Sequence, residues 1–264
     1  MKIVFIGAGN LATHLSAALQ SGGHDIVQVY NRTLASAVTL AAKLGAEAVN
    51  SVDKICTDAD AYIMAVKDDA LSELARKVGE RCRHGVLLHT AGSVAIDVLG
   101  VAATRYGVIY PMQSFSKTRS LCLRDVPIYV EANCDEALSL VTTLARSVST
   151  KVRVLSSEAR RHLHLAAVFA SNFVNCCYDL ASDEAAAAGV PFADFLPLID
   201  ETAAKVHELS PHDAQTGPAV RYDKTVIDRQ KQLLEGNHMA HLAYGVLSEI
   251  IHCRHEERSN DKTV

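Results

Sequence analysis

Residues 1–12 read MKIVFIGAGNLA, and the fold is decided there. Lys2-Ile3-Val4-Phe5-Ile6 is a short apolar run rich in β-branched residues, as in a strand buried on both faces. Gly7-Ala8-Gly9-Asn10-Leu11-Ala12 follows and fits G-x-G-x-x-G/A. Leu11, Leu15, Ala18 and Leu19 then recur at helical spacing until Gly22-Gly23. In a dinucleotide-binding unit Gly7 would allow the tight turn, Gly9 the approach of a pyrophosphate, and Ala12 close helix–strand packing. The helix N-terminus at Asn10 and Leu11 would offer unpaired N–H groups and a positive dipole end. A ligand-free turn would account for the glycines alone; the strand before them and the helix after them favour the dinucleotide.

Ile26-Val27-Gln28-Val29-Tyr30 reads as the next strand, followed by Asn31-Arg32-Thr33. An NAD site usually carries an acid here for the ribose 2′-hydroxyl; an NADP site carries an arginine for the 2′-phosphate. No acid is present, and Arg32 offers a planar fork suited to phosphate, with Asn31 and Thr33 as neutral partners. The expected cofactor is NADP. In the plainer alternative, Thr33 caps the next helix and Arg32 is a solvated charge.

Further strands are expected at Ala46–Val49, Ala61–Val66, Val86–His89, Val108–Tyr110, Ile128–Val130 and Lys151–Leu155, with helices between most of them. That alternation predicts an α/β fold: a Rossmann-type, doubly wound, mainly parallel sheet covered on both faces. After Ser156-Ser157-Glu158 the pattern changes. Ala, Leu and Val recur at helical spacing without Pro or Gly to Ala188, and three further helices are expected over 192–209, 223–234 and 238–251. The division is therefore 1–152, an NADP-binding domain, and 153–264, an all-α domain for substrate and dimerisation. The polar end, Arg254 to Asp261, is expected to fray.

Composition narrows the function classes. Hydrophobic residues at 49% and charged residues at 21% suit a globular protein, and a net charge of −4 gives no global attraction to nucleic acid or anionic membranes. Without Trp and with 5% aromatic residues, a base-stacking surface is not expected. No apolar stretch reaches membrane-spanning length. The seven cysteines form no C-x-x-C pair and read as reduced, mostly buried thiols of a cytoplasmic protein; the N-terminus reads as a core strand, not a cleaved leader. Twelve histidines include His238/His241 and His252/His255, but neither pair completes a metal set, and no metal is expected.

In a doubly wound sheet, ligands bind beyond the carboxyl ends of the strands. Ala65, Val66 and Lys67 should line the cofactor path mainly through backbone. His89-Thr90-Ala91-Gly92-Ser93 and Tyr110-Pro111-Met112-Gln113-Ser114-Phe115 follow the fifth and sixth strands and point toward the nicotinamide end. Thr90 is assigned to the cofactor; Ser93, Gln113 and Ser114 to the substrate; the first loop reads equally as a turn that caps a helix over Val94–Leu99. On the long helix, His164, Val168, Asn172 and Asn175 fall on one α-helical face among apolar neighbours, where polar groups are costly unless paired. His164 is the candidate proton donor and Asn172 the group that orients the substrate, with Asn175 beside it. A core histidine bonded to a carbonyl, and asparagines bridging helices, are the alternatives. Arg221, past the Gly217-Pro218 turn, could hold a carboxylate or pair with Asp223 or Asp228.

Five segments together resemble one family: Gly7–Ala12, His89–Ser93, Tyr110–Phe115, His164–Phe173 and Thr216-Gly217-Pro218-Ala219-x-Arg221-x-Asp223. The chain resembles the Rossmann-like/DUF2520 proteins, grouped with coenzyme-F420-dependent NADP reductases and akin to pyrroline-5-carboxylate reductase and β-hydroxyacid dehydrogenases. The resemblance implies a 6-phosphogluconate-dehydrogenase-like helical domain and a homodimer built through it. It also gives weight to His164 and Asn172, which stand on the helix where β-hydroxyacid dehydrogenases carry a catalytic Lys and Asn. No Lys occupies that face here. The expected activity is NADP-dependent hydride transfer to or from a small, carboxylate-bearing carbonyl or hydroxy compound in a cleft between domains. Alternatives are an imine or F420-linked reductase, or a non-catalytic NADP-binding redox sensor.

Overall fold

The computed structural model describes the backbone of residues 1–261 and the side chains of 1–257. Strands β1 (Lys2–Ile6), β2 (Asp25–Tyr30), β3 (Glu47–Val49), β4 (Ala61–Met64), β5 (Val86–His89), β6 (Tyr106–Pro111), β7 (Ile128–Ala132) and β8 (Val152–Val154) form one sheet in the order β3-β2-β1-β4-β5-β6-β7-β8. Pairing is parallel except between β6 and β7. Helices α1 (Asn10–Ser21), α2 (Leu34–Leu44), α3 (Asp68–Arg81) and α4 (Asp135–Val148) connect the strands. The chain leaves β1 toward β2 and β3, then returns to its other side with β4, so the crevice for a ligand lies between the ends of β1 and β4.

Alternation along β1 builds two cores. Ile3 and Phe5 pack with Leu15 and Leu19 of α1, Leu40 of α2 and Val141 of α4; Val4 and Ile6 pack with Leu71, Ala75 and Val78 of α3. Side chains of this size contribute ~1.5–3 kcal/mol each when removed from water. Burial on both faces is why these strands read as continuous apolar runs.

The chain packs as two compact units, Met1–Phe173 and Val174–Val264. The sequence division after residue 152 falls within β8; the first unit also holds α5 (Ser157–Ala167), whose N-cap Ser156 accepts the Ala159 N–H at 3.3 Å. The second unit contains α6 (Val174–Ala187), α7 (Leu196–Glu208), α8 (Lys224–Leu233) and α9 (His238–Asp261). No described helix is long and apolar enough to cross a membrane.

Four expectations need correction. Val168–Phe173 forms a π-helical turn between α5 and α6. Its i→i+5 bonding adds about one residue per turn, so the uniform α register that put His164, Val168, Asn172 and Asn175 on one face does not hold. Val94–Leu99 contains only a 3₁₀ turn, Ile96–Leu99. The polar end, expected to lie beyond the last helix, continues α9 to Asp261. Finally, only Cys82 is buried; Cys122, Cys176, Cys177 and Cys253 are exposed, each on a helix or loop surface.

Candidate active site

At the end of β1, Gly7 has φ +112° and donates its N–H to Tyr30 O at 2.8 Å. A Cβ there would lie 2.2 Å from Ala65 O, so the glycine serves both the turn and the close approach of the β4 end. Ala65 N–H is itself bonded to Ile6 O at 2.8 Å, while Val66 and Lys67 lead into α3. A Cβ on Gly9 would meet open space. Thr13 N–H is bonded to Gly9 O at 3.0 Å; the Asn10, Leu11 and Ala12 amides precede that bond and face outward for an anion. Asn10 Nδ2 donates to Phe115 O at 2.9 Å, tying α1 to the loop after β6.

Past β2, Asn31 Nδ2 donates to Thr33 O at 3.0 Å, and the Thr33 hydroxyl makes no cap hydrogen bond to α2. Arg32 is exposed and makes no ion pair among the described residues. Open backbone at Gly9, outward amides on α1 and an uncommitted guanidinium past β2 fit an NADP diphosphate and its 2′-phosphate.

The other end is built from β5, β6 and α5. Tyr110 OH and His164 Nδ1 are 3.0 Å apart with the rings edge-on. Gly92, in the loop after β5, packs directly on this histidine: a Cβ would fall 2.6 Å from His164 Nδ1. Tyr110 is 7% exposed, and burial raises its pKa, so its hydroxyl stays protonated. His164 is half-buried and keeps its other nitrogen, Nε2, available.

One turn earlier, Arg160 is 1% exposed and pairs with Glu131 at the end of β7. Ser157 donates its N–H and hydroxyl to the same carboxylate at 2.8 and 2.7 Å, and Arg160 also donates to Val94 O. Ile96 N–H donates to Ser157 Oγ at 3.0 Å. This network anchors α5 to β7 and to the β5–β6 connection, and so sets the height of His164 above Tyr110. Nearby His89 is fully buried; its Nδ1 accepts Ala91 N–H at 3.1 Å, and burial, then Arg160, lower its pKa to about 3.

Other expected residues lie as follows. Thr90 is buried and donates to Met64 O at 3.4 Å; Ser93 donates its hydroxyl to Asp68. Gln113 and Ser114 are exposed, the Gln113 side chain accepting Ser114 N–H at 2.8 Å. Asn172 is exposed on the π turn. In the second unit Asn175 and Arg221 are exposed; Asp223 caps α8 by accepting Val226 N–H at 3.2 Å, and Tyr222 has φ 50° with its ring stacked on His252 at 3.9 Å. Sequence reasoning placed Gly92 and Tyr110 in the two site loops without a role of their own, and did not single out Glu131 or Arg160. A tyrosine within a strand reads as an apolar position, and neither partner of the Glu131–Arg160 pair marks the other through spacing.

The sheet with its crevice and glycine turn defines a Rossmann-type dinucleotide oxidoreductase. The model for "NADP oxidoreductase coenzyme F420-dependent" matches residues 2–91, and that for DUF2520, a domain of unknown function, matches 126–251. A provisionally assigned NADP oxidoreductase of Bacteroides fragilis is 44% identical, with 95% of this chain and 97% of that chain covered and a TM-score of 0.91. The chain belongs to this NADP oxidoreductase family. More distant in sequence but alike in fold are an imine reductase of Myxococcus stipitatus in complex with NADP+ (16% identity, 95% and 93% covered, TM-score 0.66) and a Plasmodium falciparum pyrroline carboxylate reductase with NADP bound (13%, 96% and 98%, 0.62). No curated protein matches.

Proposed function

We propose that the protein reduces a small, carboxylate-bearing carbonyl compound, with NADPH as hydride donor and His164 as proton donor. The observation that carries this reading is the 3.0 Å Tyr110–His164 contact at the strand ends, against the glycine of the β5 loop. Gly7, Gly9, Asn10, Leu11, Asn31, Arg32, Thr33 and the Ala65–Lys67 backbone would hold the dinucleotide, with Thr90 behind its nicotinamide end. Bound there, NADPH supplies a hydride. His164 in its charged form donates Nδ1–H to the Tyr110 oxygen and presents Nε2–H to the substrate oxygen. Giving up that proton leaves the neutral tautomer still bonded to Tyr110, so the ring keeps its place through the step. Asn172 would orient the reacting group, and Ser93, Gln113 and Ser114 would line the substrate site; Asn175 and Arg221 are the candidates of the second unit for substrate contact, Arg221 for a carboxylate.

A second reading, reduction of a C=N bond, is supported by the imine and pyrroline carboxylate reductases among the fold neighbours. The same proton donor would serve a substrate nitrogen. We also place a second copy of this chain on the helical unit, where Leu198 is 62% and Met239 72% exposed.

NADPH oxidation across keto acids, cyclic imines and F420 separates these readings. With the substrate so found, His164→Ala should lower kcat by ~10²–10⁴-fold. Tyr110→Phe should cost less. Full activity in His164→Ala would reject the assignment; NADPH binding without turnover of any compound would point to a redox sensor.

A further inference from the structure

We propose that a cleft formed by α1, the end of α4 and the β6–β7 loop binds a small metabolite carrying two or more phosphate groups. Its volume, about 680 Å³, is that of a small-molecule site. Lys117, Arg119, Arg124 and Arg146 line it, and no Asp or Glu does. Elsewhere cations stand beside carboxylates, as in Arg76–Glu80, Lys77–Glu73 and Lys205–Glu201. None of the four in the cleft makes an ion pair among the described residues. Four like charges gathered in one concavity, in a chain of net charge −4, make a local positive field that a multivalent anion would neutralise.

The walls are held in place. Arg124 O accepts Thr150 N–H at 2.9 Å and Thr150 Oγ1–H at 3.0 Å, so the backbone that carries this guanidinium is pinned to the segment after α4. The loop's other end is fixed on α1 through the His14–Ser116 O contact at 2.8 Å. The ends of α1 and α4 touch: a Cβ on Gly22 would lie 2.9 Å from Ser147 O. A preformed site loses less on binding than a mobile one. Three guanidinium forks match phosphate oxygens, with hydroxyls of Thr118 and Ser120 alongside. No Phe, Tyr or Trp lines the cleft, which argues against a stacked nucleobase or single-stranded nucleic acid. The dinucleotide phosphates belong at the N-terminus of α1 and at Arg32, so this site stands apart from the proposed reaction.

The test is calorimetry of the full chain, saturated with NADPH so that the dinucleotide's own phosphate sites are filled, titrated with inorganic tripolyphosphate. One binding event per chain is expected, weakening as salt is added. Arg124→Gln and Arg146→Gln should each lower the affinity about tenfold while leaving NADPH affinity unchanged. Arg32→Ala should do the reverse. Orthophosphate should bind far more weakly than tripolyphosphate. Absence of heat at millimolar tripolyphosphate, binding that NADPH abolishes, or affinity indifferent to Arg124 and Arg146 would overturn the proposal; orthophosphate binding as tightly would overturn its multivalent character.

Discussion

In Met1–Phe173, Ile3, Phe5, Leu15, Leu88 and Val141 are sealed from solvent, whereas in Val174–Val264 Leu198, Leu233 and Val246 stand 62%, 78% and 57% exposed. The sheet unit buries most of the apolar residues of its strands within itself, and its exposed ones include Val154 on the edge strand and Phe169 on the π turn. Among its described residues the helical unit buries only small or single side chains, such as Ala185, Ala219, Ile227 and Ala240. Its helices follow the apolar period of the sequence but leave much of that surface uncovered by this chain. The contrast teaches that periodicity reports which face of a helix is apolar, not what covers it. The glycine turn, the Tyr110–His164 pair and the Glu131–Arg160 anchor, which carry the proposed site, all belong to the sheet unit.

The most severe challenge to that picture is Arg160→Ala. It strands Glu131 partly buried without its cation, and a loss of ~3–5 kcal/mol in urea denaturation is expected. A loss below ~1 kcal/mol would mean that α5 is held by apolar packing alone. Next in size is the proposed docking of a second copy on the helical unit. Leu198→Lys and Val246→Lys should convert a dimer to monomers in sedimentation, each costing ~1.5–3 kcal/mol of association if the side chain is buried there. Val101→Lys, on the sheet unit and 78% exposed, should leave the mass unchanged and shift stability by no more than ~0.5 kcal/mol. A wild-type monomer at micromolar concentration would remove the dimer from the account.

Acid should distinguish the sheet unit through His89. Unfolded, its imidazole titrates near 6.5; folded, burial and Arg160 keep it neutral down to about 3. Between these values the unfolded chain holds the extra proton, so His89's contribution is intact above pH 6.5 and declines by ~1.4 kcal/mol per unit as the pH falls. Whatever its effect at pH 7, His89→Gln should flatten the pH dependence of the urea midpoint; an unchanged slope would contradict the buried neutral state. The smallest effect is at the cofactor's adenosine end. Arg32→Ala should raise the NADPH dissociation constant about tenfold and leave that of NADH nearly unchanged, and equal losses would argue that the guanidinium does not meet a 2′-phosphate.

Much of the nucleotide end is legible along the chain because its parts are local. Gly7, Gly9 and Ala12 lie within one turn, and Arg32 follows its strand directly, so short-range spacing carries the chemistry. The proposed substrate end is assembled from β5, β6, β7 and α5, and the pairs Gly92–His164, Tyr110–His164 and Glu131–Arg160 have no common period. The π turn is a further limit: VFASNF has neither Pro nor Gly, and nothing in its apolar pattern announces the change of register.

The sequence by itself determined the alternation of strands and helices, the doubly wound sheet, the glycine turn and the arginine beyond β2, because each rests on local conformational preference or on apolar repeats of two or 3.6. Tertiary structure alone decided that a tyrosine in β6 meets a histidine 54 positions later, that Gly92 must lack a Cβ for that histidine to sit there, and that a buried arginine holds the helix at this height. Those contacts depend on close packing between distant segments, where a single methyl group is too large, and no property of any one segment encodes that fit.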